Sequence, residues 1–419
     1  MTADQRVLLV RESPPLQGRV RISGAKNSAL KLLAASVLVE GRTVLRRVPD
    51  ISDIATMIEL LENMGASVSR IADSVVIDCP ALIEPSAPYE LVSKMRASIA
   101  VLGPLIGRFG HARVAMPGGC NLGSRPIDLH LKGLEQLGVR FAFKHGYLEA
   151  RASSLRGDRV VLEFPSVGAT ENLLMAAVCA EGTTVIENAA REPEITDLCA
   201  MLNRMGAHIT GVGGATLVIE GSSKLHPVEH EVVADRIEAG TFIAAAGITG
   251  GEIVLEGARY DHLNTPISKL CEMGMLISTC PEGIWAKGPD RPVATDIATL
   301  PYPGFPTDLQ PVAVAMLTVA EGMAVVTENV FDSRFLYISE LNRMGADIRT
   351  DGRHAVIRGV KKLSGAPVSA PDLRAGAALV LAGLVAEGQT AVSNYHHIER
   401  GYEAFEEKLR SLGALVEIA

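Results

Sequence analysis

Cys120 stands in the stretch MPGGCNLGSRPIDLH (116–130), with glycines at 118, 119 and 123, Arg125 five residues on and Asp128 three further. A thiol can give a proton and a thiolate can attack carbon, and a nearby cation such as Arg125 favours the thiolate. Cysteine is more often a small buried hydrophobe. That reading suits Cys179 in the Ala-rich ENLLMAAVCAEG and Cys199 and Cys271 in amphipathic helical patterns. It does not suit Cys120, because the flanking glycines leave no regular element for it to pack in. The same glycines allow the stretch to close as a loop over a ligand.

A second group of polar residues precedes apolar helical stretches: GAKNS, KMRAS, SVGAT, DRIEAGT, PTD and PDLR. Helix starts expose N–H groups without partners and the positive end of the dipole. Six such starts, several with Lys or Arg beside them, predict an anion-binding chamber in the cleft between two globules. Ordinary N-capping is the alternative for any single start.

The elements that position these residues repeat six times. LENMGASV, LEQLGVRF, LNRMGAHI, LCEMGMLI, LNRMGADI and LRSLGALV carry glycines 65, 138, 206, 274, 345 and 413, spaced by 73, 68, 68, 71 and 68 residues. Each repeat reads as a buried Ala/Leu-rich helix, a β-branched strand, an amphipathic helix ending at the glycine, and two further strands. Three repeats make one globule and six make two. The polar stretch GSSKLHPVEHEVVAD (221–235) is a natural crossing between them. The N-terminal strand RVLLVR lies outside the first repeat and can pair with the last globule, which puts a second crossing near Ser23–Lys26. The expected division is 24–233 for one globule, carrying the Cys loop, and 1–23 with 234–419 for the other.

Composition narrows the function. With 419 residues, a net charge of −8 and only 4% aromatics, the chain offers neither a basic surface nor stacking platforms for nucleic acid. No apolar run approaches the roughly 18 residues of a membrane span, and the start MTADQRVLLVRESPP does not read as a signal peptide. The six cysteines show no CxxC spacing, so no zinc site is suggested. A cytoplasmic protein with reduced thiols and no membrane or nucleic-acid partner is the expectation.

With these motifs in place, the chain resembles the enolpyruvyl transferases, and among them the branch that acts on UDP-N-acetylglucosamine. The resemblance spans essentially the whole chain and rests on SGAKNSAL (23–30), MRAS (95–98), PGGCNLGSRPIDLHLKGLEQLG (117–138), SVGATEN (166–172), AAREPEITDL (189–198), DRIEAGTF (235–242), FPTDLQ (305–310), DLRAGAALVLAG (372–383) and IERGYE (398–403). It implies an α/β (α+β) fold, an inside-out α/β barrel of two domains, each of three βαβαββ repeats. It implies transfer of the enolpyruvyl group of phosphoenolpyruvate to the 3′-hydroxyl of UDP-N-acetylglucosamine, with release of phosphate, in the first committed step of peptidoglycan synthesis. No metal or organic cofactor is implied.

Such an addition needs an acid for the methylene carbon, a base for the hydroxyl and fixed cations for phosphate and carboxylate. The resemblance implies Cys120 as proton donor and Asp308 as base, an N-cap of the following helix being the other reading of Asp308. Lys26, Arg125, Arg374 and Arg400 are implied around phosphoenolpyruvate, with Asn27 beside them and Lys26 and Arg400 among the catalytic groups. Arg96 and the run Arg125-Pro126-Ile127-Asp128-Leu129 are implied on the nucleotide sugar. Ser166, Val167, Gly168 and Val330 are implied at its uridine end, while Arg334 matches a further arginine and Asp372 orients the set. The chain departs from some members at Phe164-Pro165, where a Lys is found, and at Ala100, where a larger side chain is found. Cys120 is retained, which implies sensitivity to fosfomycin-type epoxides. The sister enzyme acting on shikimate 3-phosphate lacks such a Cys loop. A silent nucleotide-sugar-binding paralogue would be expected to lose Cys120, Asp308 or Lys26.

Overall fold

The recurring glycine ends a helix each time, because the turn that follows requires a left-handed backbone. At Gly65, after the helix Ser52–Met64, φ is 110°, and the Gly65 and Ala66 N–H groups donate to Glu62 and Leu61 carbonyls at 2.9 and 3.0 Å. Its five counterparts have φ between 88° and 104°, each within two residues of the end of Asp128–Gln136, Pro193–Arg204, Asn264–Glu272, Ile338–Arg343 or Phe405–Ser411. These facts come from a computed structural model that describes residues 6–93, 95–116, 127–222 and 224–419. Cys120, Arg125 and Pro126 fall outside the described residues.

The described chain divides into two lobes. One lies between Gly24 and Val233; the other joins the residues up to Ser23 with Ala234–Ala419. In the lobe 24–233 three four-stranded sheets share one plan, a parallel pair extended by two antiparallel strands. Ser86–Ala87 runs parallel to His111–Ala115, which pairs antiparallel with Tyr147–Arg151 and through it with Arg140–Lys144. Arg159–Val161, Thr183–Glu187, Thr216–Glu220 and His208–Thr210 repeat that order. In the third sheet the parallel strand comes from the far end of the lobe. Glu229–Glu231 lies beside Gly41–Arg46, with His230 opposite Leu45. The stretch 221–235 is therefore more than a crossing, since part of it closes a sheet.

The other lobe is built alike. Gln17–Arg21 runs parallel to Glu252–Glu256, and Ile297–Ala298 to Met323–Thr327. Leu8–Arg11 sits in the last sheet between Gln389–Ser393 and Val416–Ile418, with Leu8 opposite both Val392 and Ile418.

Within each lobe the Ala/Leu-rich helices form the interior and the sheets lie around them, alternating buried and exposed residues as in His354–Arg358. All eight residues of Gln310–Leu317 are buried, and it packs on Leu373–Gly383 and Arg236–Thr249. Small residues permit this approach. A Cβ added at Gly103, in Leu102–Phe109, would meet the Asn172 carbonyl oxygen at 2.4 Å. The fold is thus mixed α/β with helices inside and sheets outside in each lobe. No helix among the described residues is long and apolar enough to cross a membrane.

Candidate functional site

In the lobe 24–233 the expected residues sit at helix starts. Lys26 is the first residue of Lys26–Ala35, and its Nζ lies 2.7 Å from Oδ2 of Asp53, in the first turn of Ser52–Met64. Both side chains are more than nine-tenths buried, so the pair fixes the ammonium rather than leaving it on a solvated surface. Asn27 follows, half-buried. The same helix start is tied by Asp197, which accepts from Ser28 Oγ at 2.5 Å and Val233 N at 3.1 Å and lies 2.8 Å from His230 Nε2.

A second cluster gathers three expected segments. Arg96 opens the 3₁₀ helix Arg96–Val101, Asp128 and Leu129 open Asp128–Gln136, and Ser166 caps Val167–Ala177 by accepting from Ala169 N at 3.3 Å. Buried Asn172 joins them. Its Oδ1 accepts from Gly103 N at 2.7 Å, and its Nδ2 donates to Ile99 O at 3.2 Å and lies 2.9 Å from His130 Nδ1. The His130 ring stands against Gly168, where an added Cβ would lie 3.0 Å from Cε1. Ile127 is buried, and Phe164 is exposed.

One helical turn from this cluster, Glu171 Oε2 lies 2.8 Å from Lys31 Nζ. Burial pushes the Glu171 carboxyl up to about 7, although Lys31 pulls it down.

In the other lobe Asp308 lies in the 3₁₀ turn Thr307–Leu309 that leads into Gln310–Leu317. The cap positions there belong to Pro306 and Leu309, and neither side chain makes a cap hydrogen bond. The carboxylate instead faces two arginines, with Oδ1 3.6 Å from Arg334 Nη2 and Oδ2 3.4 Å from Arg374 Nη2. Both guanidinium groups are about 2% exposed, whereas the Asp308 side chain is 29% exposed. Arg374 stands at the start of Leu373–Gly383, which Asp372 caps by accepting from Arg374 N at 2.8 Å and Ala375 N at 3.1 Å. Its guanidinium lies 5.1 Å from the Tyr402 ring centre. Burial opposes the charge on Arg374, but Tyr402, Asp308 and Asp235 outweigh it and raise its pKa.

Among the described residues, Nε and Nη1 of Arg374 and Nε and Nη2 of Arg334 find no hydrogen-bond partner. Buried charged donors left without acceptors are costly, so this arrangement is built for an anion with several acceptor oxygens. Val330 and Arg334 follow buried Glu328, and Arg400 follows the short helix His396–Glu399, half-buried.

Several supporting residues were not singled out from sequence: Asp53, Asp197, Asn172, Glu328 and Tyr402. Each is a polar or aromatic side chain inside an otherwise ordinary element. Position within a motif was the available signal for Asn172 in SVGATEN, Asp197 in AAREPEITDL and Tyr402 in IERGYE, and there was none for Asp53 or Glu328. Among the thiols, burial raises Cys179 to about 11 and Cys199 to about 12. Cys271 corrects its expectation, because it lies on the exposed side of its amphipathic helix.

Comparison with known proteins follows the same lines. The family model described as EPSP synthase (3-phosphoshikimate 1-carboxyvinyltransferase) matches residues 10–409. The chain is 53% identical over 408 residues to UDP-N-acetylglucosamine 1-carboxyvinyltransferase 1 of Caldanaerobacter subterraneus subsp. tengcongensis, covering 97% of this chain and 98% of that one. It is 54% identical over 402 residues to UDP-N-acetylglucosamine 1-carboxyvinyltransferase of Corynebacterium jeikeium, with 96% of each covered. Among solved structures, the enolpyruvyl transferase NikO from Streptomyces tendae aligns over 99% of both chains with TM-score 0.89 and 26% identity. EPSP synthase from Acinetobacter baumannii shares the fold, at TM-score 0.75 and 19% identity over 99% of both chains.

Proposed function

The chain belongs to the enolpyruvyl transferase family, and from that premise we propose that it moves the enolpyruvyl group of phosphoenolpyruvate to the 3′-hydroxyl of UDP-N-acetylglucosamine, releasing phosphate. This is the first committed step of peptidoglycan synthesis. Relatives more than half identical over nearly the whole chain bear the name of that reaction. The observation that carries the chemistry is the pair of buried guanidinium groups of Arg334 and Arg374, two nitrogens of each without a hydrogen-bond partner among the described residues, facing a partly exposed Asp308.

The residues divide the work as follows. Cys120 gives a proton to the methylene carbon of phosphoenolpyruvate, and the sugar hydroxyl oxygen bonds to the adjoining carbon. Asp308 takes the hydroxyl proton. The tetrahedral adduct then loses a methyl proton and phosphate, which restores the double bond. Lys26, Arg125, Arg374 and Arg400 hold the phosphate and carboxylate, with Asn27 beside them. Arg96, Arg125, Pro126, Ile127, Asp128 and Leu129 hold the nucleotide sugar; Ser166, Val167, Gly168 and Val330 hold its uridine end. Arg334 and Asp372 complete the set. What supports Asp308 as base is that its carboxylate is partly open to solvent, where a hydroxyl can reach it, and is held between two arginines. Support for Lys26 is its fixed, buried pairing with Asp53. The free cysteines 79, 179, 199, 271 and 280 suit a reducing compartment, and a cytoplasmic enzyme acting on small molecules goes with the reading.

The test is phosphate release from phosphoenolpyruvate with UDP-N-acetylglucosamine or shikimate 3-phosphate as acceptor, for wild type and Cys120→Ala. Release with the nucleotide sugar alone, abolished in the variant, is expected. Release with shikimate 3-phosphate would transfer the activity to the sister reaction. No release with either acceptor, from folded protein, would overturn the enzymatic reading.

A further inference from the structure

Glu328 is 1% exposed and lies just beyond the strand Met323–Thr327. Its carboxylate accepts four hydrogen bonds. Oε1 receives the Thr299 hydroxyl at 2.8 Å, Val330 N at 2.8 Å and Phe331 N at 3.1 Å, and Oε2 receives the Thr307 hydroxyl at 2.9 Å. These donors come from three stretches of chain. Thr299 closes the loop that returns at Phe305, with Leu300 N donating to Phe305 O at 3.0 Å, and it receives Asn329 N at 2.9 Å on its own hydroxyl. Thr307 immediately precedes Asp308. Val330 and Phe331 lead into Arg334, which faces Asp308 at 3.6 Å.

One buried carboxylate therefore joins the turn that carries Asp308 to the segment that carries Val330 and Arg334. Neither segment is a long regular element. Thr307–Leu309 is a single 3₁₀ turn, and the chain from Glu328 to Tyr337 is irregular. Irregular backbone has no ladder to hold it, so its placement falls to side-chain bonds. A buried carboxylate loses its hydration, and here four donors from those three stretches replace it. Such a carboxylate is a good choice for fixing a distance between the two segments.

We propose that Glu328 is a positioning residue for the transfer reaction, setting the Asp308–Arg334 geometry and the course of the backbone at Val330. The inference rests on the reading of Asp308 as the base and of Val330 as a contact of the nucleotide sugar. Glu328 touches no reacting atom; it acts through Thr307 and through the 330–331 amides.

The test compares steady-state kinetics of Glu328→Ala, Glu328→Gln, Thr307→Val and the Ala/Val double variant, each assayed well below its own unfolding temperature and scaled to folded protein. In Glu328→Ala, kcat is expected to fall about 100-fold, the scale of a misplacement near 1 Å. KM for UDP-N-acetylglucosamine rises several-fold, and KM for phosphoenolpyruvate stays within about threefold. Glu328→Gln keeps an oxygen for the three Oε1 donors and can donate to the Thr307 oxygen, so it recovers most of that loss. Adding Thr307→Val to Glu328→Ala costs little more, because the contact it removes is already gone.

A loss of activity that disappears on scaling to folded protein, with both KM values unchanged, would overturn the inference. So would a Gln variant as poor as Ala. If wild type itself releases no phosphate with the nucleotide sugar, it is the functional reading that has failed. Hydrogen exchange then decides the inference separately. Faster exchange at Val330 and Phe331 in folded Glu328→Ala supports the anchoring, and unchanged exchange overturns it.

Discussion

Replacing Asp308 by Asn tests the centre of the reading, because it removes a charge while nearly keeping a shape. Two buried guanidinium groups lie 3.4 and 3.6 Å from the carboxylate oxygens. At an effective dielectric constant of about 20 each pair is worth roughly 5 kcal/mol before solvent access is counted. Because Asp308 is 29% exposed, the low end of the cost for breaking a buried pair applies, about 3 kcal/mol. For a lobe of this size that lowers Tm by roughly 6–12 °C. Separately, loss of a general base lowers kcat by about 100-fold or more. The assay is phosphate release at saturating substrates, alongside thermal unfolding with and without inorganic phosphate. Phosphate should raise the Tm of Asp308→Asn more than that of wild type, since an anion can take the place of the lost carboxylate between Arg334 and Arg374. A kcat within tenfold of wild type would show that another group takes the proton. An unchanged Tm would show that the arginines do not depend on Asp308.

The remaining predictions follow from burial. Glu171, raised from 4.5 to about 7 by its surroundings, binds a proton in the folded state that the unfolded chain has released. Stability from this group is therefore present below pH 4.5 and declines as pH rises through about 7, by an amount of order 3 kcal/mol. The Tm of Glu171→Gln minus that of wild type should increase from pH 5 to pH 7.5, and a flat difference would refute this. A fosfomycin-type epoxide should add once, at Cys120, by intact-mass and peptide analysis, because burial raises Cys79, Cys179 and Cys199 above their ordinary thiol range. A first adduct at any of those three would contradict that account. Gly103→Ala should cost about 1–3 kcal/mol in urea unfolding, since its methyl would press on the Asn172 carbonyl at 2.4 Å. An unchanged midpoint would mean that the helices yield.

Much of the fold was legible because it is written six times. The glycine at the end of each amphipathic helix needs a backbone that other residues resist, and it recurs at near-constant spacing. The Ala-rich helices announced their burial by lacking a polar face. The stretch 221–235 was harder, because Glu229–Glu231 is a three-residue strand of polar sequence that exists only by pairing with Gly41–Arg46. Cys271 misled for a related reason: an amphipathic pattern locates a helix well but places a single residue near its polar boundary poorly. Side-chain partners were not legible at all. Asp53 and Asp197 lie on helices 27 and 169 residues from their partners Lys26 and Ser28, and no local pattern links such positions.

The six helix starts are not alike, although the fold repeats. Three of them cap themselves. Ser166, Asp235 and Asp372 each accept backbone N–H bonds from their own first turn. The other three make no side-chain cap bond: Ala25 before Lys26, Met95 before Arg96, and Pro306 before Thr307 and Asp308. Those three starts carry the proposed cations Lys26 and Arg96 and the proposed base Asp308, while the capped starts carry the proposed contacts Ser166 and Arg374. A polar side chain at a helix start has two uses for its lone pairs or protons, the helix or something beyond it. Where the helix takes them the residue stabilises its own start, and where it does not the group can pair with another segment. Lys26 turns to Asp53 and Asp308 to Arg334 and Arg374. Capping and proposed function are thus not exclusive, since Ser166 and Asp372 cap their helices and also stand among the proposed contacts, whereas Lys26 and Asp308 pair with side chains of other segments.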